Sequence, residues 1–335
     1  MAREEEATEL LGTVLGGRYR LDSVLGEGGM GAVYAATHVK LERPVAVKVL
    51  RASMKGESTH LDRFFQEARA AASVQSSGVI DVMDLDVDPV HGPYLVMEKL
   101  EGEPLTDILR RGKTPPEEAV ALIGELLEVL SAVHAHDIVH RDLKPPNVYL
   151  HHDEKGARVL KVLDFGIAKV KQRHLTLTGE IVGTPRFMAP EQAHGDPLDQ
   201  RTDLYSAGLL LYCLLSGKPP FDGVVGGRVI TLLDEGPTPL RELVPDLPEG
   251  LYRVVDKAIA PKPADRYENA DAMAKALEAA LREPVDAPAD TPPSGSPSAA
   301  SSKDRSAVPM LVGIAVLLAV VLAIGLYVFR NVSLP

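Results

Sequence analysis

Polar and apolar positions follow a strand-like pattern in the first hundred residues and a helical one afterwards. Residues 32–37 are small or β-prone and have no helix N-cap, and residues 44–50 are apolar except for one charge, Lys48. Both stretches are predicted to be strands, with Lys48 on the face opposite Val47 and Val49. The N-terminal part is therefore predicted to be rich in β-structure.

Three segments have the spacing of helices. Residues 60–73 form the one early candidate and carry Glu67 near the middle. Residues 117–136 have one apolar face, whereas residues 203–215 are apolar almost all round and are predicted to form a buried helix. The apolar face of the early helix consists of Leu61, Phe64, Ala68 and Ala71.

Composition divides the chain into zones. Residues 1–13 form an acidic tail without the apolar core of a signal peptide, and residues 14–282 have the mixed pattern of a globular domain. Residues 283–306, rich in Pro, Ala and Ser, are predicted to be a flexible linker. Residues 307–329 are apolar and uncharged, long enough to cross a hydrocarbon layer of roughly 30 Å. A membrane span is favoured over a buried core helix because a linker precedes the segment. Residues 330–335 are then a short extracytoplasmic tail.

Charge and cysteine content narrow the function. The net charge of −11 argues against a nucleic-acid partner, since such binding needs Lys and Arg to neutralise phosphates. The single cysteine, Cys213, rules out an intramolecular disulfide and lies in an apolar stretch, so it is predicted to be a buried structural thiol.

A glycine pattern, G-x-G-x-x-G, is formed by Gly26, Gly28 and Gly31. It occurs in dinucleotide-binding folds, where a helix follows the glycines, and in kinases, where the glycines join two antiparallel strands over ATP. An ordinary tight turn is a third reading. The predicted strand after Gly31 favours the ATP flap and disfavours the dinucleotide fold.

Two further motifs follow in order. His-Arg-Asp-Leu-Lys-Pro-Pro-Asn occupies residues 140–147, between a predicted helix and a short strand, and Leu-Lys-Val-Leu-Asp-Phe-Gly occupies residues 160–166 as a strand ending at an Asp. Together with the glycine pattern, Lys48 and Glu67, these motifs resemble the eukaryotic-type (Hanks) protein kinase family. The resemblance is strongest to bacterial membrane-anchored serine/threonine kinases and covers residues 14–281.

Other family motifs support the resemblance. They are a hinge-like Tyr-Leu-Val-Met-Glu at residues 94–98, Gly-Thr-Pro at 183–185, Ala-Pro-Glu at 189–191, Asp-Leu-Tyr-Ser-Ala-Gly at 203–208, and Arg266. The resemblance implies an α+β, two-lobed protein kinase fold, with a small β-rich N-lobe and a larger α-helical C-lobe, followed by a single transmembrane helix. It implies transfer of the ATP γ-phosphate to Ser/Thr hydroxyls of proteins and autophosphorylation of the activation segment.

The resemblance also assigns roles to individual residues. Asp142 is expected to accept the substrate proton, with Lys144 near the transferring phosphate, Lys48 on the nucleotide phosphates and Glu67 paired to Lys48. Asn147 and Asp164 are the expected ligands of Mg²⁺, with Mn²⁺ as an alternative ion. The expected ATP-binding residues are Leu25, Gly26, Glu27, Gly28, Gly29, Met30, Gly31, Val33, Ala46, Lys48, Met97 (the gatekeeper), Glu98 and Leu100.

The segment between Asp164 and Glu191 carries the expected regulatory and substrate-facing positions. Thr176 and Thr178 are candidate phosphorylation sites, whose phosphates would pair with an Arg beside the catalytic Asp. Thr184 and Glu191 are expected to shape the platform for a protein substrate.

Two rival functions and one departure stay open at this point. A pseudokinase scaffold would have lost Lys48, Asp142, Asn147 or Asp164, and a small-molecule phosphotransferase would lack the platform segment. The family's usual His-Pro-Asn after the early helix is replaced by Gln-Ser-Ser-Gly at residues 75–78, which puts the anchoring of that helix in doubt. The expected setting is the cell membrane, single-pass, with the kinase domain cytoplasmic, protein substrates, and a homodimer through the kinase domain and the membrane helix.

Overall fold

The small lobe is built on a six-stranded antiparallel sheet in the order β1-β2-β3-β4-β6-β5. The structure is a computed structural model and describes residues 8–28, 31–50, 58–153, 155–165, 186–221 and 233–283. The strands of this sheet are β1 (Val14–Leu15), β2 (Tyr19–Glu27), β3 (Gly31–His38), β4 (Arg43–Leu50), β5 (Val82–Asp88) and β6 (Gly92–Met97).

The chain after the glycine pattern is a strand, as predicted. β3 pairs along its whole length with β4, in a register that sets Val33 opposite Lys48, and β4 pairs with β6 so that Ala46 faces Met97. A helix in this position, which a dinucleotide-binding fold requires, is absent from residues 31–38.

The two faces of the sheet carry different cores. The outer face buries Val45, Val47 and Val49 with aromatic residues of neighbouring strands. The inner face buries Leu50 against Phe64 of helix α1 (Ser58–Ser73). Lys48 alternates with the outer-face valines, so the predicted division of faces is confirmed, and the ammonium group is directed to the inner side.

Contacts of the small lobe begin upstream of Val14, the domain boundary predicted from the sequence. Leu10 packs against the outer-face core. The N–H of Gly12 donates to the carbonyl of Leu21, and the N–H of Leu21 donates to the carbonyl of Thr13. Residues 8–13 therefore extend the sheet edge next to β2.

The large lobe is mainly helical and also contains a three-stranded sheet in the order β7-β8-β9. Those strands are β7 (Gly102–Pro104), β8 (Val148–His152) and β9 (Arg158–Val162). The helices are α2 (Leu105–Arg110), α3 (Pro116–His134), α4 (Pro190–His194), α5 (Arg201–Ser216), α6 (Leu240–Leu243), α7 (Glu249–Ala258) and α8 (Ala270–Ala280).

The predicted long helices are confirmed with small shifts in their ends. α3 begins with Pro116 in its first turn followed by Glu117 and Glu118, which suits the positive end of the helix dipole. α5 is buried from Thr202 to Ser216, as its apolar composition predicts. Burial raises the pKa of its Cys213 thiol to about 12, which confirms a structural thiol.

The departure at residues 75–78, which put the anchoring of α1 in doubt, does not prevent the chain after this helix from bonding to the large lobe. The N–H of Val162 donates to the carbonyl of Gly78 at 2.7 Å, and the N–H of Ile80 donates to the carbonyl of Val162 at 3.2 Å. A Cβ at Gly78 would lie 2.1 Å from Cγ2 of Val129 on α3, so only glycine allows this approach. Val79 and Ile80 join the core of the large lobe.

Within the described ranges, no helix is both long enough and apolar enough to cross a membrane. The predicted span at residues 307–329 lies outside those ranges, as do the linker and most of the segment between Asp164 and Glu191.

Candidate active site

A buried carboxylate holds the loop that joins α3 to β8. We call this loop, residues 135–147, the catalytic loop. Asp203, at the start of α5, is fully buried. Its Oδ2 accepts from the backbone N–H of His140 and pairs with Nε2 of His134, and its Oδ1 accepts from the backbone N–H of Arg141, each at 2.8 Å. Asp203 therefore fixes the backbone immediately before Asp142. The sequence placed Asp203 in a family motif but gave it no role in the site.

His140 connects this loop to the end of β9. The carbonyl of Leu163 can only accept, so Nε2 of His140 carries the proton and donates to it at 2.8 Å. Nδ1 then accepts from the backbone N–H of Asp142 at 3.3 Å. The ring lies 5.0 Å from that of Phe165. The two motifs are thus joined through a neutral imidazole of one tautomer.

Asp142, Lys144 and Asn147 form one polar group at the mouth of the loop. Nζ of Lys144 donates to Oδ2 of Asp142 at 2.9 Å. Nδ2 of Asn147 donates to the backbone carbonyl of Asp142 at 2.8 Å and to its Oδ2 at 3.3 Å. These bonds use the amide nitrogen of Asn147 and orient its side chain, so that the remaining amide oxygen is the atom suited to a cation.

Lys48 reaches across the cleft to Asp164. Its Nζ lies 2.7 Å from Oδ1 of Asp164, and the lysine side chain is only 12% exposed. Burial opposes the charge on Lys48, but the carboxylate of Asp164, with smaller contributions from Glu67 and Asp142, outweighs burial and raises the pKa of Lys48. The ammonium group therefore stays charged, held between the small-lobe sheet and the Asp164 carboxylate that follows β9.

Glu67 is a second acidic group near Lys48. The resemblance implied a pair between Glu67 and Lys48, and the structure adds a contact between Lys48 and Asp164. Glu67 lies on α1 close enough for its charge to act on Lys48.

Two residues of the site have strained backbones. Arg141 has a φ of 66° and Asp164 a φ of 48°, values that non-glycine residues adopt at a cost of about 1–3 kcal/mol. β9 ends at Val162, two residues before Asp164, and not at Asp164 as predicted. The turn in the backbone directs the Asp164 side chain toward Lys48.

The three glycines of the G-x-G-x-x-G pattern differ in the space that surrounds them. A Cβ at Gly31 would lie 2.0 Å from the carbonyl oxygen of Val49, so β4 itself requires a glycine there. Among the described residues, no atom lies within 4 Å of such a Cβ at Gly26, and the nearest atom to that of Gly28 is 3.8 Å away. The described neighbours therefore do not require a glycine at those two positions. Gly29 and Met30 lie outside the described residues.

The remaining expected ATP-binding residues lie on β2, β3, β4 and β6 and directly after β6. Leu25 is exposed and Val33 half-buried, whereas Ala46 is buried opposite Met97. The backbone N–H of Glu98 donates to the carbonyl of Asp81 at 3.0 Å. Glu98 can therefore offer an adenine base its carbonyl but not its N–H. Leu100 packs against the core of the large lobe.

Glu191, which is expected to shape the substrate platform, is held inside the large lobe. It is buried and accepts from Nη1 and Nη2 of Arg266 at 2.7 and 2.8 Å. The next residue, Gln192, donates from Nε2 to the carbonyl of Arg141 at 2.8 Å, a link that the sequence did not reveal. Thr176, Thr178 and Thr184 lie outside the described residues.

A metal site is present only as a partial set of oxygen ligands. No cluster of three His, Cys, Asp or Glu side chains suited to a metal occurs among the described residues. Asp164 and the amide oxygen of Asn147 are hard oxygen donors of the kind that Mg²⁺ prefers. Because Mg²⁺ in phosphoryl-transfer sites takes further ligands from phosphates and water, two protein ligands fit that ion.

Comparison with known proteins places this arrangement in a family. The model of the protein kinase domain matches residues 19–277. The serine/threonine-protein kinase Pkn1 of Myxococcus xanthus is 40% identical over 278 residues, 82% of this chain and 40% of its own length. A probable serine/threonine-protein kinase PknB of Corynebacterium glutamicum is 37% identical over 276 residues, 79% of this chain and 42% of its own length.

A solved structure gives the same answer for the fold. The crystal structure of the Mycobacterium tuberculosis PknI kinase domain aligns with a TM-score of 0.64 and 27% identity, covering 80% of this chain and 98% of that one. The chain belongs to the protein kinase domain family. Proteins of this family use ATP with a divalent metal ion and act on protein substrates. The chain spans less than half the length of the two curated relatives.

Proposed function

We propose that this chain is a serine/threonine protein kinase, which transfers the γ-phosphate of ATP to serine and threonine hydroxyls of proteins. One observation carries the proposal: Lys48, Asp142, Asn147 and Asp164 lie close together, with Lys48 bonded to Asp164, Asn147 bonded to Asp142 and the charge of Asp142 acting on Lys48. Phosphoryl transfer needs positioning and charge neutralisation more than covalent help, and these four side chains supply both.

In the proposed mechanism each residue has one task. Lys48 binds nucleotide phosphates, and the backbone around Gly26 and Gly28 approaches them because no side chain intervenes. Asp142 accepts the proton of the attacking hydroxyl. Lys144, which is paired with Asp142 at 2.9 Å, neutralises charge on the transferring group.

The metal ion is assigned to Asp164 and Asn147. Mg²⁺, or Mn²⁺ in its place, would supply positive charge to the phosphates when bound. Nζ of Lys48 donates to Oδ1 of Asp164 at 2.7 Å, so the lysine and this metal-ligand candidate lie side by side. Glu67 and Asp142 are further acidic groups near Lys48 and would help to keep its ammonium group charged for nucleotide phosphates.

Two alternative functions are disfavoured by particular observations. A pseudokinase scaffold typically lacks one of the four cleft residues, and all four are present. A small-molecule phosphotransferase is disfavoured because the relatives are named protein kinases and because the Ala189–Glu191 segment is tied to the catalytic loop through Gln192.

The proposal is tested with the purified full chain, γ-labelled ATP, Mg²⁺ and a panel of unphosphorylated proteins. After acid hydrolysis, the label is expected in phosphoserine and phosphothreonine. Label in phosphotyrosine alone, or in small molecules alone, would contradict the proposed function.

We also propose that residues 307–329 anchor the kinase to the cell membrane, with the kinase domain cytoplasmic. Support comes from the apolar, uncharged composition of the segment and from Lys303 and Arg305 before it, in keeping with the positive-inside rule. The small residues Ala315, Ala319 and Ala323 recur every four residues and would let two such helices pair. Pairing would raise the effective concentration of two kinase domains and favour phosphorylation in trans.

The anchor and the dimer are tested separately. Deletion of residues 307–335 should release the protein from the membrane fraction. Replacing the three alanines by Ile should lower crosslinked dimer while leaving the protein membrane-bound. Unchanged crosslinking in that variant would mean that the segment acts only as an anchor.

A further inference from the structure

A buried ion pair joins the hinge of the small lobe to the strand that precedes Asp164. Nζ of Lys161, on β9, lies 2.5 Å from Oε1 of Glu98, immediately after β6. The two side chains are only 10% and 19% exposed. Most charged pairs of this kind lie at the surface, so a buried pair between two parts of a cleft is unusual. None of the roles described above uses Lys161.

The same carboxylate binds a third segment. Oε1 of Glu98 also accepts from the backbone N–H of Asp81 at 2.8 Å, while the N–H of Glu98 donates to the carbonyl of Asp81 at 3.0 Å. We refer to Asp81, Glu98 and Lys161 as the hinge cluster. The hydrogen bonds of the hinge cluster hold the peptide of Glu98 in one orientation, with its N–H donated to the carbonyl of Asp81.

Along the chain, Lys161 leads through Val162 and Leu163 to Asp164 of the candidate active site. Val162 is bonded in both directions to the Gly78–Ile80 segment. Leu163 donates its N–H to the carbonyl of Asn147 at 2.8 Å and accepts from His140 at 2.8 Å. Asp164 follows directly. Lys161 is therefore linked to Asp164 through Val162, which is bonded to the Gly78–Ile80 segment, and Leu163, which is bonded to the catalytic loop.

We propose that Lys161 is a positioning residue that sets the spacing between the adenine-binding hinge and the Asp164 carboxylate. The inference rests on the proposed function, because it assigns adenine to the hinge and phosphates to the Lys48–Asp164 side of the cleft. A ligand that spans both ends benefits from a spacing fixed in advance, since it need not order the two segments itself. A ligand that touches only the hinge gains much less.

The test compares two ligands on the purified full chain by titration calorimetry: ADP with Mg²⁺, which spans the cleft, and adenosine, which occupies the hinge end. Lys161→Met keeps the length of the side chain but removes its charge. We expect affinity for ADP with Mg²⁺ to fall on the order of tenfold to a hundredfold, and affinity for adenosine to fall much less. Lys161→Arg should restore much of the difference between the two ligands, because it keeps a cation within reach of Glu98.

A matched control lies on the same strand. Arg158 at the start of β9 pairs with Glu125 of α3 at 2.8 Å, and both side chains are about one-third exposed. Arg158→Met removes a cation from β9 without touching the hinge cluster, so neither affinity should change. Should Lys161→Met fail to fold, as judged by its thermal melt, Lys161→Gln takes its place.

The outcomes separate the inference from the proposed function. Equal losses for the two ligands, no loss for either, or tighter binding in Lys161→Met would each overturn the positioning role. A chain that shows the expected affinities but transfers no phosphate to protein would support the positioning role and contradict the proposed kinase activity.

Discussion

The stability of the large lobe can be tested at Arg266. The guanidinium of this residue uses all of its hydrogen-bonding capacity inside the lobe. Its five N–H groups donate to the two carboxylate oxygens of Glu191 and to the carbonyls of Ala260, Pro261 and Arg201, at 2.7–3.1 Å. The arginine side chain is fully buried and that of Glu191 is 4% exposed. The substitution Arg266→Lys keeps the charge but offers three N–H groups on one nitrogen.

The magnitude follows from the acceptors that lose a partner. At least two of the five are left unpaired, and a buried unpaired acceptor costs about 1–3 kcal/mol. The free energy of unfolding should fall by about 2–6 kcal/mol, out of a total of about 5–15 kcal/mol for a typical domain. At roughly 2–4 °C per kcal/mol, the melting temperature should fall by about 4 °C or more.

The assay is thermal and urea unfolding of wild type, Arg266→Lys and Arg241→Lys. Arg241 pairs with Glu249 on the surface, with an arginine side chain 54% exposed, so its substitution should leave the melting temperature near that of wild type. Transfer activity of Arg266→Lys should also fall, because Glu191 precedes Gln192, which holds the carbonyl of Arg141. A loss of stability in Arg266→Lys no greater than in Arg241→Lys would refute the reasoning.

Three further predictions follow from individual groups. Lys48→Met should abolish phosphate transfer yet melt near wild type, because Lys48 is directed at the cleft; wild-type transfer rates in this variant would remove Lys48 from the mechanism. Burial tends to raise the pKa of Asp88, but the backbone N–H groups of Gly16, His91 and Val90 outweigh it and hold that pKa well below its usual range. The stability contributed by ionised Asp88 is therefore present above the unfolded pKa of about 3.9 and is lost as pH falls through the lower folded pKa. Urea unfolding of Asp88→Asn should show a large loss at pH 7 that shrinks on acidification, and a pH-independent loss would contradict this. Replacing Thr176 and Thr178 together by Ala should remove activation-segment phosphate, seen by mass spectrometry, and lower activity; full activity would contradict the switch.

The sequence predicted those features that depend on local pattern. The strands around the glycine loop, the inward side of Lys48 and the long helices follow from the alternation and spacing of apolar residues, because burial of one face is decided within each element. The catalytic motifs were identified through the resemblance to the protein kinase family, which is possible because each motif occupies a short stretch of chain.

Contacts between distant segments could not be read from local pattern. Asp203 lies more than sixty positions from the amides that it binds, and Gln192 more than fifty from the carbonyl of Arg141. Lys161 lies in an otherwise apolar strand, and its partner Glu98 is 63 positions away in the chain. The only available signals were an acid at the start of an apolar helix and a lysine in an otherwise apolar strand.

The anchoring of α1 shows why a missing motif can mislead. Residues 75–78 lack the family's usual side chains, but the attachment is made by the backbone of Gly78 and by the space that its missing side chain leaves against Val129. The lack of a side chain at Gly78 is what allows this close packing. Composition alone does not distinguish such a glycine from one in a flexible turn.

The most direct measurement of the central claim is single-turnover transfer from γ-labelled ATP to a protein substrate by the full chain and by Asp142→Asn. Asp246→Asn, which changes an exposed carboxylate far along the chain, serves as the matched control. The account predicts that Asp142→Asn slows transfer by at least about a hundredfold with the melting temperature unchanged, because the proton acceptor is lost, while Asp246→Asn behaves as wild type. Transfer at the wild-type rate by a folded Asp142→Asn protein would contradict the assignment of this cleft as the catalytic site.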